Sequence, residues 1–166
     1  RNLLSTRPAM VSGRTVLNIG CDSGLLGLVC VDLGAESVVS VDSTVQALTT
    51  ARDLAGANGM SGQVRLFRSP LGQELDAEGL GMACDGIISQ QLLQEPKFSP
   101  LLPGLLFARR RHLRSGAGIE SWVFPRSASL HIRAGDFSRE IQEREESGSC
   151  AALGGFNLTL LAPEVP

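Results

Sequence analysis

A glycine-rich segment early in the chain has the residue types of a ligand-binding loop. Gly20 and Gly24 follow the short apolar run Thr15–Ile19 and precede an apolar segment of helical length, so the chain turns there from a strand into a helix. Such a turn brings backbone N–H groups close to the polar end of a ligand. A plain strand-to-helix turn has the same pattern, so the loop alone leaves both interpretations open.

Asp42 adds a second residue to this pattern. It ends the next apolar run, 18 residues beyond Gly24. This is close to the spacing of about 20 residues between loop and acidic residue in dinucleotide-binding folds. A carboxylate in this position accepts the hydroxyl groups of an adenosine ribose. The loop and Asp42 together predict an adenosine-containing cofactor.

Strands and helices alternate along the chain around these residues. The Ser43-Thr44 pair predicts a helix N-cap and Asn58-Gly59 predicts the end of that helix. The predicted helices are Leu25–Leu33, Val45–Ala57 and Pro100–Leu113, with a solvated helix or loop over Arg139–Glu146. The predicted strands are Thr15–Ile19, Ser37–Val41, Gln63–Phe67, Asp85–Ser89, Trp122–Phe124, Ser129–Ile132 and Asn157–Leu161. This alternation predicts an α/β fold with a mostly parallel sheet flanked by helices.

Composition restricts the partners that the chain is expected to have. Its 166 residues, 43% hydrophobic and 19% charged, indicate a soluble domain, and a net charge of −2 gives no general attraction to nucleic acid or to acidic membranes. No apolar run reaches the roughly 18 residues of a membrane-spanning helix. Four cysteines without a C-x-x-C pair and the lack of a signal peptide predict an intracellular location, in the cytoplasm, the nucleus or both.

Other groups that could do chemistry have simpler explanations. His112 and His131 have no partner at the spacing of a metal site or a catalytic triad, so no metal site is predicted. The arginines at 109–111 suit the C-terminal end of a helix, where cations are favoured by the helix dipole. A phosphate or RNA patch is the alternative for these arginines.

A longer part of the chain resembles a known enzyme family. The segment TVLNIGCDSGLLGLVCVDLGAESVVSVDST resembles the cofactor-binding motif of class I S-adenosylmethionine-dependent methyltransferases, specifically the protein arginine methyltransferases. The segments IISQQLLQEPKFSPLLPGLLFARRRHL and FPRSASL are similar to later parts of the same family. The resemblance implies a Rossmann-like class I methyltransferase domain with S-adenosylmethionine as its cofactor.

The resemblance also implies which residues face the cofactor. Arg1 matches the arginine that pairs with the cofactor carboxylate, and Gly20 and Gly24 match the loop glycines. Asp42 matches the acidic residue at the ribose, and Ser43 is retained beside it.

Three cofactor positions depart from the family pattern. Asn18 stands where the family has aspartate, so hydrogen bonding to the amino end of the cofactor is kept without the charge. Asp22 replaces the middle glycine of the loop, where its side chain crowds the backbone and its charge repels a carboxylate. Gly72 occupies the position of a glutamate that receives the adenine amino group. We therefore expect weak or absent binding of S-adenosylmethionine.

The catalytic positions have lost both carboxylates. Paired carboxylates orient a planar, cationic guanidinium group for methyl transfer. The two glutamates that do this in the family fall on Gln90 and Ser99. Neither side chain carries a charge, and the serine side chain is also too short to reach the guanidinium group. Glu95 lies between them and is the alternative carboxylate, but Pro96 and Pro100 direct this loop along another course.

These departures predict a domain whose chemistry is degenerate. Residues 1–133 are expected to form the S-adenosylmethionine-binding domain, and residues 134–166 an extension toward a β-barrel that follows in the family. Because the chain starts at Arg1 rather than Met, we expect a fragment or a processed product. The predicted role is that of a regulatory or structural partner of an active arginine methyltransferase, with that enzyme or a protein substrate as the partner. An active arginine methyltransferase and an inactive fragment are the alternatives.

Overall fold

The structure is a computed structural model that describes residues 7–70, 83–89, 101–115, 120–126, 152–153 and 156–157. The chain divides into two units, Arg1–Ala128 and Ser129–Pro166. The strands of the first unit are Thr15–Ile19 (β1), Ser37–Asp42 (β2), Val64–Arg68 (β3), Gly86–Ile88 (β4) and Trp122–Phe124 (β5). Its helices are Leu25–Asp32 (α1), Val45–Ala57 (α2) and Leu101–Arg111 (α3), after a short 3₁₀ turn at Pro8–Met10. In the second unit, Ala152–Leu153 (β6) pairs antiparallel with Phe156–Asn157 (β7).

The five strands of the first unit form one parallel sheet in the order β3-β2-β1-β4-β5. The chain moves outward from β1 through β2 to β3, and β4 then returns to the other side of β1. In open sheets of this kind, ligands bind at the carboxyl ends of the strands where the strand order reverses. The predicted fold class is confirmed. The topology predicts that a ligand site lies at the carboxyl ends of β1 and its neighbours.

The predicted elements are confirmed to within a residue or two over the described part of the first unit. Helix α2 has the predicted bounds because the hydroxyl oxygen of Thr44 accepts a hydrogen bond from the N–H of Ala47 at 3.3 Å, which caps its start. The predicted strand Ser129–Ile132 and the segment Arg139–Glu146 lie outside the described residues. Of the predicted strand Asn157–Leu161, only Asn157 is described. In the described part of the chain, no helix has the length and apolarity that a membrane crossing requires.

Strand β1 is buried along its whole length, and its two faces pack differently. Leu17 and Ile19 join a hydrophobic cluster with residues of β2 and β4 and with Leu105 and Ala108 of α3. On the opposite face, Asn18 is 0% exposed. The strand that leads into the glycine loop is therefore held from both sides.

A polar network holds the amino ends of the strands, at the edge away from the loop. One carboxylate oxygen of Asp85 accepts from the N–H of Thr15 at 2.9 Å, and the other pairs with the guanidinium of Arg114 at 2.8 Å. The indole N–H of Trp122 donates to the carbonyl of Met10 at 2.7 Å. The Trp122 ring lies directly against Gly86, where an added Cβ atom would overlap it.

Replacement of Gly86 by alanine is expected to destabilise the fold by about 1–3 kcal/mol, the usual cost of an extra methyl group in a packed core. Chemical denaturation with tryptophan fluorescence would measure the change. Gly62→Ala is the matched control, since a Cβ atom at Gly62 has no neighbour within 4 Å. A Gly86→Ala protein as stable as Gly62→Ala would contradict the described packing of Trp122.

The buried thiols predict how stability depends on alkaline pH. Burial raises the pKa of Cys21, Cys30 and Cys84 from 9.0 to about 12. Their contribution is fully present below about pH 9 and is lost as the pH rises toward 12, because the unfolded chain releases these protons and the folded chain retains them. We expect the free energy of unfolding to fall above pH 9 by up to ~1.4 kcal/mol per pH unit for each thiol.

Urea denaturation between pH 7 and 10.5 would test this expectation. The sequence has no tyrosine and Lys97 is its only lysine, so few other side chains titrate in this range. A Cys30→Ala variant should show a shallower decline than the parent protein. Stability that stays constant up to pH 10.5 would show that these thiols are not buried.

Candidate cofactor-binding site

The glycine loop at the end of β1 is a tight turn in left-handed backbone conformations. Gly20, Asp22 and Gly24 have φ angles of 65°, 50° and 79°. Glycine adopts such angles without strain, whereas a residue with a side chain does so at a cost that is lowest for asparagine and aspartate. A Cβ atom at Gly24 would lie 2.8 Å from the Cβ of Ala51 in α2. Glycine is thus required at position 24 by both backbone angle and space.

The N–H groups of this loop donate mostly to the protein itself. Those of Gly20 and Cys21 both donate to the carbonyl of Val41, at 2.9 and 3.1 Å, and that of Gly24 donates to the carbonyl of Cys21 at 2.8 Å. The N–H of Asp22 donates to the carboxylate of Asp42 at 3.1 Å. Most of the loop donors that a ligand would use are therefore engaged.

The carboxylate of Asp42 connects this loop to the start of α2. Its Oδ2 accepts the bond from Asp22, and its Oδ1 accepts from the N–H of Thr44 at 3.0 Å and from the hydroxyl of Thr44 at 3.1 Å. The residue is 2% exposed. The structure thus brings together Gly20, Asp22, Gly24 and Asp42, the four predicted loop and ribose residues that it describes near this edge of the sheet.

Ser43, also predicted at this site, is exposed, and its carbonyl accepts from the Nε of Arg68 at 3.2 Å. The side chain on the Asp42 carboxylate is that of Thr44, for which the sequence predicts only a role in the helix cap. The signal in the sequence is that Thr44 follows Asp42 by two residues, because an aspartate side chain commonly accepts a hydrogen bond from the backbone N–H two residues later.

Asn18 lies beneath α1 rather than at the surface of the loop. Its side-chain nitrogen is 3.5 Å from the point that a Cβ on Gly27 would occupy, and the hydroxyl of Ser40 on β2 is 3.2 Å from the same point. Among the described residues, neither side-chain atom of Asn18 has a hydrogen-bond partner, and Ser40 Oγ has none either. Asn18 is 0% exposed. The contact between Asn18 and the cofactor stays a prediction.

Cys21 is the nucleophilic side chain within the loop. Burial, with the nearby negative charge of Asp42 and then of Asp22, raises the pKa of its thiol to about 12. A thiol with this pKa remains protonated at neutral pH and does not act as a nucleophile. Cys21 is therefore a packing residue, which contacts Leu48 and Ala51 within a small apolar cluster.

Four predicted site residues lie outside the described part of the chain. They are Arg1, Gly72, Gln90 and Ser99, together with the alternative carboxylate Glu95. Their roles stay predictions.

The described residues fit the adenosyl half of S-adenosylmethionine better than its methionine half. The Asp42 carboxylate lies at the strand end where a ribose is bound in folds of this type. A carboxylate has about four acceptor positions, and donors from the described residues use three of them. At the loop, most N–H donors are engaged and the Asp22 side chain is exposed. A negative charge there would oppose a carboxylate bound at this loop.

Comparison with known proteins places this loop and sheet in a family. The model of the ribosomal protein L11 methyltransferase (PrmA) family matches residues 4–94, more than half of the chain. The chain belongs to this methyltransferase family. The match includes β1, α1, β2, α2 and β3, and thus the whole of the loop and Asp42. S-adenosylmethionine is the cofactor of this class of enzymes, which confirms the predicted cofactor class.

The predicted likeness to protein arginine methyltransferases is also confirmed. Protein arginine N-methyltransferase 6 of Xenopus laevis is 29% identical over 122 residues, which are 74% of this chain and 33% of that protein. The structure of Arabidopsis thaliana protein arginine methyltransferase 10 is 28% identical with a TM-score of 0.55, covering 68% of this chain and 31% of that chain.

A third relative shares the fold. The structure of the Trypanosoma brucei PRMT1 enzyme-prozyme heterotetrameric complex has a TM-score of 0.59 at 19% identity, and the match covers 93% of this chain and 45% of the other. The chain spans less than half the length of each of these three relatives.

Substitution of Asp22 should strengthen cofactor binding. Asp22→Asn removes the charge and tolerates the left-handed backbone, and Asp22→Gly also removes the strain. We expect both variants to bind S-adenosylhomocysteine about 3- to 10-fold more tightly than the parent in calorimetric titration, a gain of roughly 1 kcal/mol. Asp53→Asn on α2 is the control for an equal change of net charge. If Asp53→Asn gave the same gain, the position of the charge in the loop would be irrelevant.

Proposed function

We propose that this chain keeps a cofactor cradle of arginine methyltransferase type, meaning the loop at Gly20–Gly24 together with Asp42, but does not transfer methyl groups. In this proposal it acts as a regulatory or structural partner of an active arginine methyltransferase. One observation carries the proposal. The Asp42 carboxylate still joins the loop to α2, while Gln90 and Ser99 leave no carboxylate at either position of the family's two glutamates. Residues 1–133 form the cofactor-binding part in this proposal, and the protein acts in the cytoplasm, the nucleus or both.

The missing carboxylates account for the proposed lack of turnover. S-adenosylmethionine, when bound, supplies an electrophilic methyl group. The acceptor guanidinium is planar and charged, and two carboxylates hold it in the orientation for attack. An amide at 90 and a short hydroxyl side chain at 99 provide neither the charge nor the paired geometry, so the acceptor is not oriented.

The partner role is supported by which features are kept. The sheet, the loop turn and the capped α2 are all present, although residues that contact cofactor or acceptor in the family have changed at 18, 22, 72, 90 and 99. A fold kept without its chemistry is useful as a surface for another protein. In Trypanosoma brucei, a PRMT1 enzyme occurs with a prozyme in one complex, and the likeness of that structure to this chain is one of fold.

Restoring the two glutamates should not restore activity. We expect the double variant Gln90→Glu and Ser99→Glu to transfer no radiolabelled methyl group to an arginine-rich peptide above background, because Asp22 and Asn18 still disturb the cofactor site. The triple variant that adds Asp22→Gly tests this reason and should gain cofactor affinity. Methyl transfer by the unmodified chain alone would contradict the proposal and favour an active enzyme.

The partner role has its own experiment. The chain is mixed with an active arginine methyltransferase from the same cell, and complex formation is measured by size-exclusion chromatography with light scattering. We expect a stable complex and a change of at least twofold in kcat/KM of the enzyme. An L11-type methyltransferase domain of the same fold is the control. The absence of both effects would contradict the partner role.

A further inference from the structure

The Asp42 carboxylate has fewer free acceptor positions than a ribose requires. Each carboxylate oxygen accepts about two hydrogen bonds. Oδ1 already accepts two, from the N–H and the hydroxyl of Thr44, and Oδ2 accepts one, from the N–H of Asp22. With the donors from residues that the structure describes, one acceptor position remains, on Oδ2, whereas the two hydroxyl groups of a ribose need two.

Of the three donors on this carboxylate, the Thr44 hydroxyl is the one that a ligand can replace. The two backbone N–H groups are fixed by the loop turn and by the start of α2. Thr44 is exposed whereas Asp42 is 2% exposed, so the hydroxyl on this carboxylate comes from a residue that solvent reaches. A ribose hydroxyl that donates to Oδ1 must therefore take the position of the Thr44 hydroxyl.

We propose that Thr44 is a positioning residue that limits this site to one ribose hydroxyl and so sets its affinity for the adenosyl group. This inference rests on the proposed retention of a cofactor cradle. Its physical basis is competition within the chain, since the same hydroxyl both donates to Asp42 and accepts from Ala47 at the start of α2. The helix cap favours the arrangement in which the Thr44 hydroxyl stays bonded to Asp42. A ribose hydroxyl has to displace it from this position.

Calorimetric titration of three proteins with S-adenosylhomocysteine tests the proposal. Thr44→Ala frees the second position on Oδ1, and we expect it to bind about tenfold more tightly than the parent, the gain typical of one hydrogen bond to a charged group. Thr44→Ser keeps the hydroxyl and should bind within about twofold of the parent. Thr44→Gly repeats the alanine test with a residue that helix N-caps tolerate, in case the alanine variant does not fold.

The 2′-deoxy and 3′-deoxy forms of S-adenosylhomocysteine give a readout that a purely structural role of Thr44 would not change. The parent and Thr44→Ser should lose affinity when one of the two hydroxyls is removed and be insensitive to loss of the other. Thr44→Ala should lose affinity in both cases.

The possible failures are distinguishable. If the parent discriminates against both deoxy ligands and Thr44→Ala binds no more tightly, the role of Thr44 is overturned while the cradle stands. If the folded parent and the folded Thr44→Ala protein both fail to bind S-adenosylhomocysteine, the cradle itself is overturned, and this inference with it.

Discussion

The bonds accepted by Asp42 hold the candidate site together. Its two carboxylate oxygens receive donors from the glycine loop after β1 and from the start of α2, two segments that also pack against each other where Cys21 and Gly24 meet Ala51. The loop keeps its left-handed turn because Gly20 and Gly24 allow it and because the Asp22 N–H is fixed by this carboxylate. The buried strand β1 and the capped helix α2 then place both segments at the carboxyl edge of the sheet, where the strand order reverses.

The same bonds bear on how strongly the site could bind a cofactor. Most of the donors and acceptors that a ligand would use are engaged within the chain, so a ligand would have to replace some internal hydrogen bonds as well as add new ones. The exposed residue Asp22 would add repulsion if the cofactor's carboxylate binds at this loop, as the resemblance implies. The proposed loss of catalysis would be a separate event, since the resemblance assigns Gln90 and Ser99 to the acceptor rather than to the cofactor. The described five-stranded sheet is intact, as the proposed partner role requires.

Much of the first unit could be predicted from the sequence because its signals are local. The apolar run Thr15–Ile19, the cap before Val45 and the Asn58-Gly59 stop each define an element without reference to the rest of the chain. The position of Asn18 under α1 could not be predicted, because burial depends on how closely Gly27 lets the helix approach the sheet. The attachment of Thr44 to Asp42 was missed because one threonine serves two roles, and the helix cap already explained its presence.

Amide hydrogen exchange by NMR tests most directly whether Asp42 is occupied by donors of its own chain. In the ligand-free protein, the N–H groups of Asp22 and Thr44 are predicted to exchange at least about tenfold more slowly than in an unstructured peptide. In an Asp42→Ala variant, both should lose this protection while the amides of β1 keep theirs. Unprotected amides at Asp22 and Thr44 in the parent protein, or protection that is unchanged in Asp42→Ala, would contradict the account.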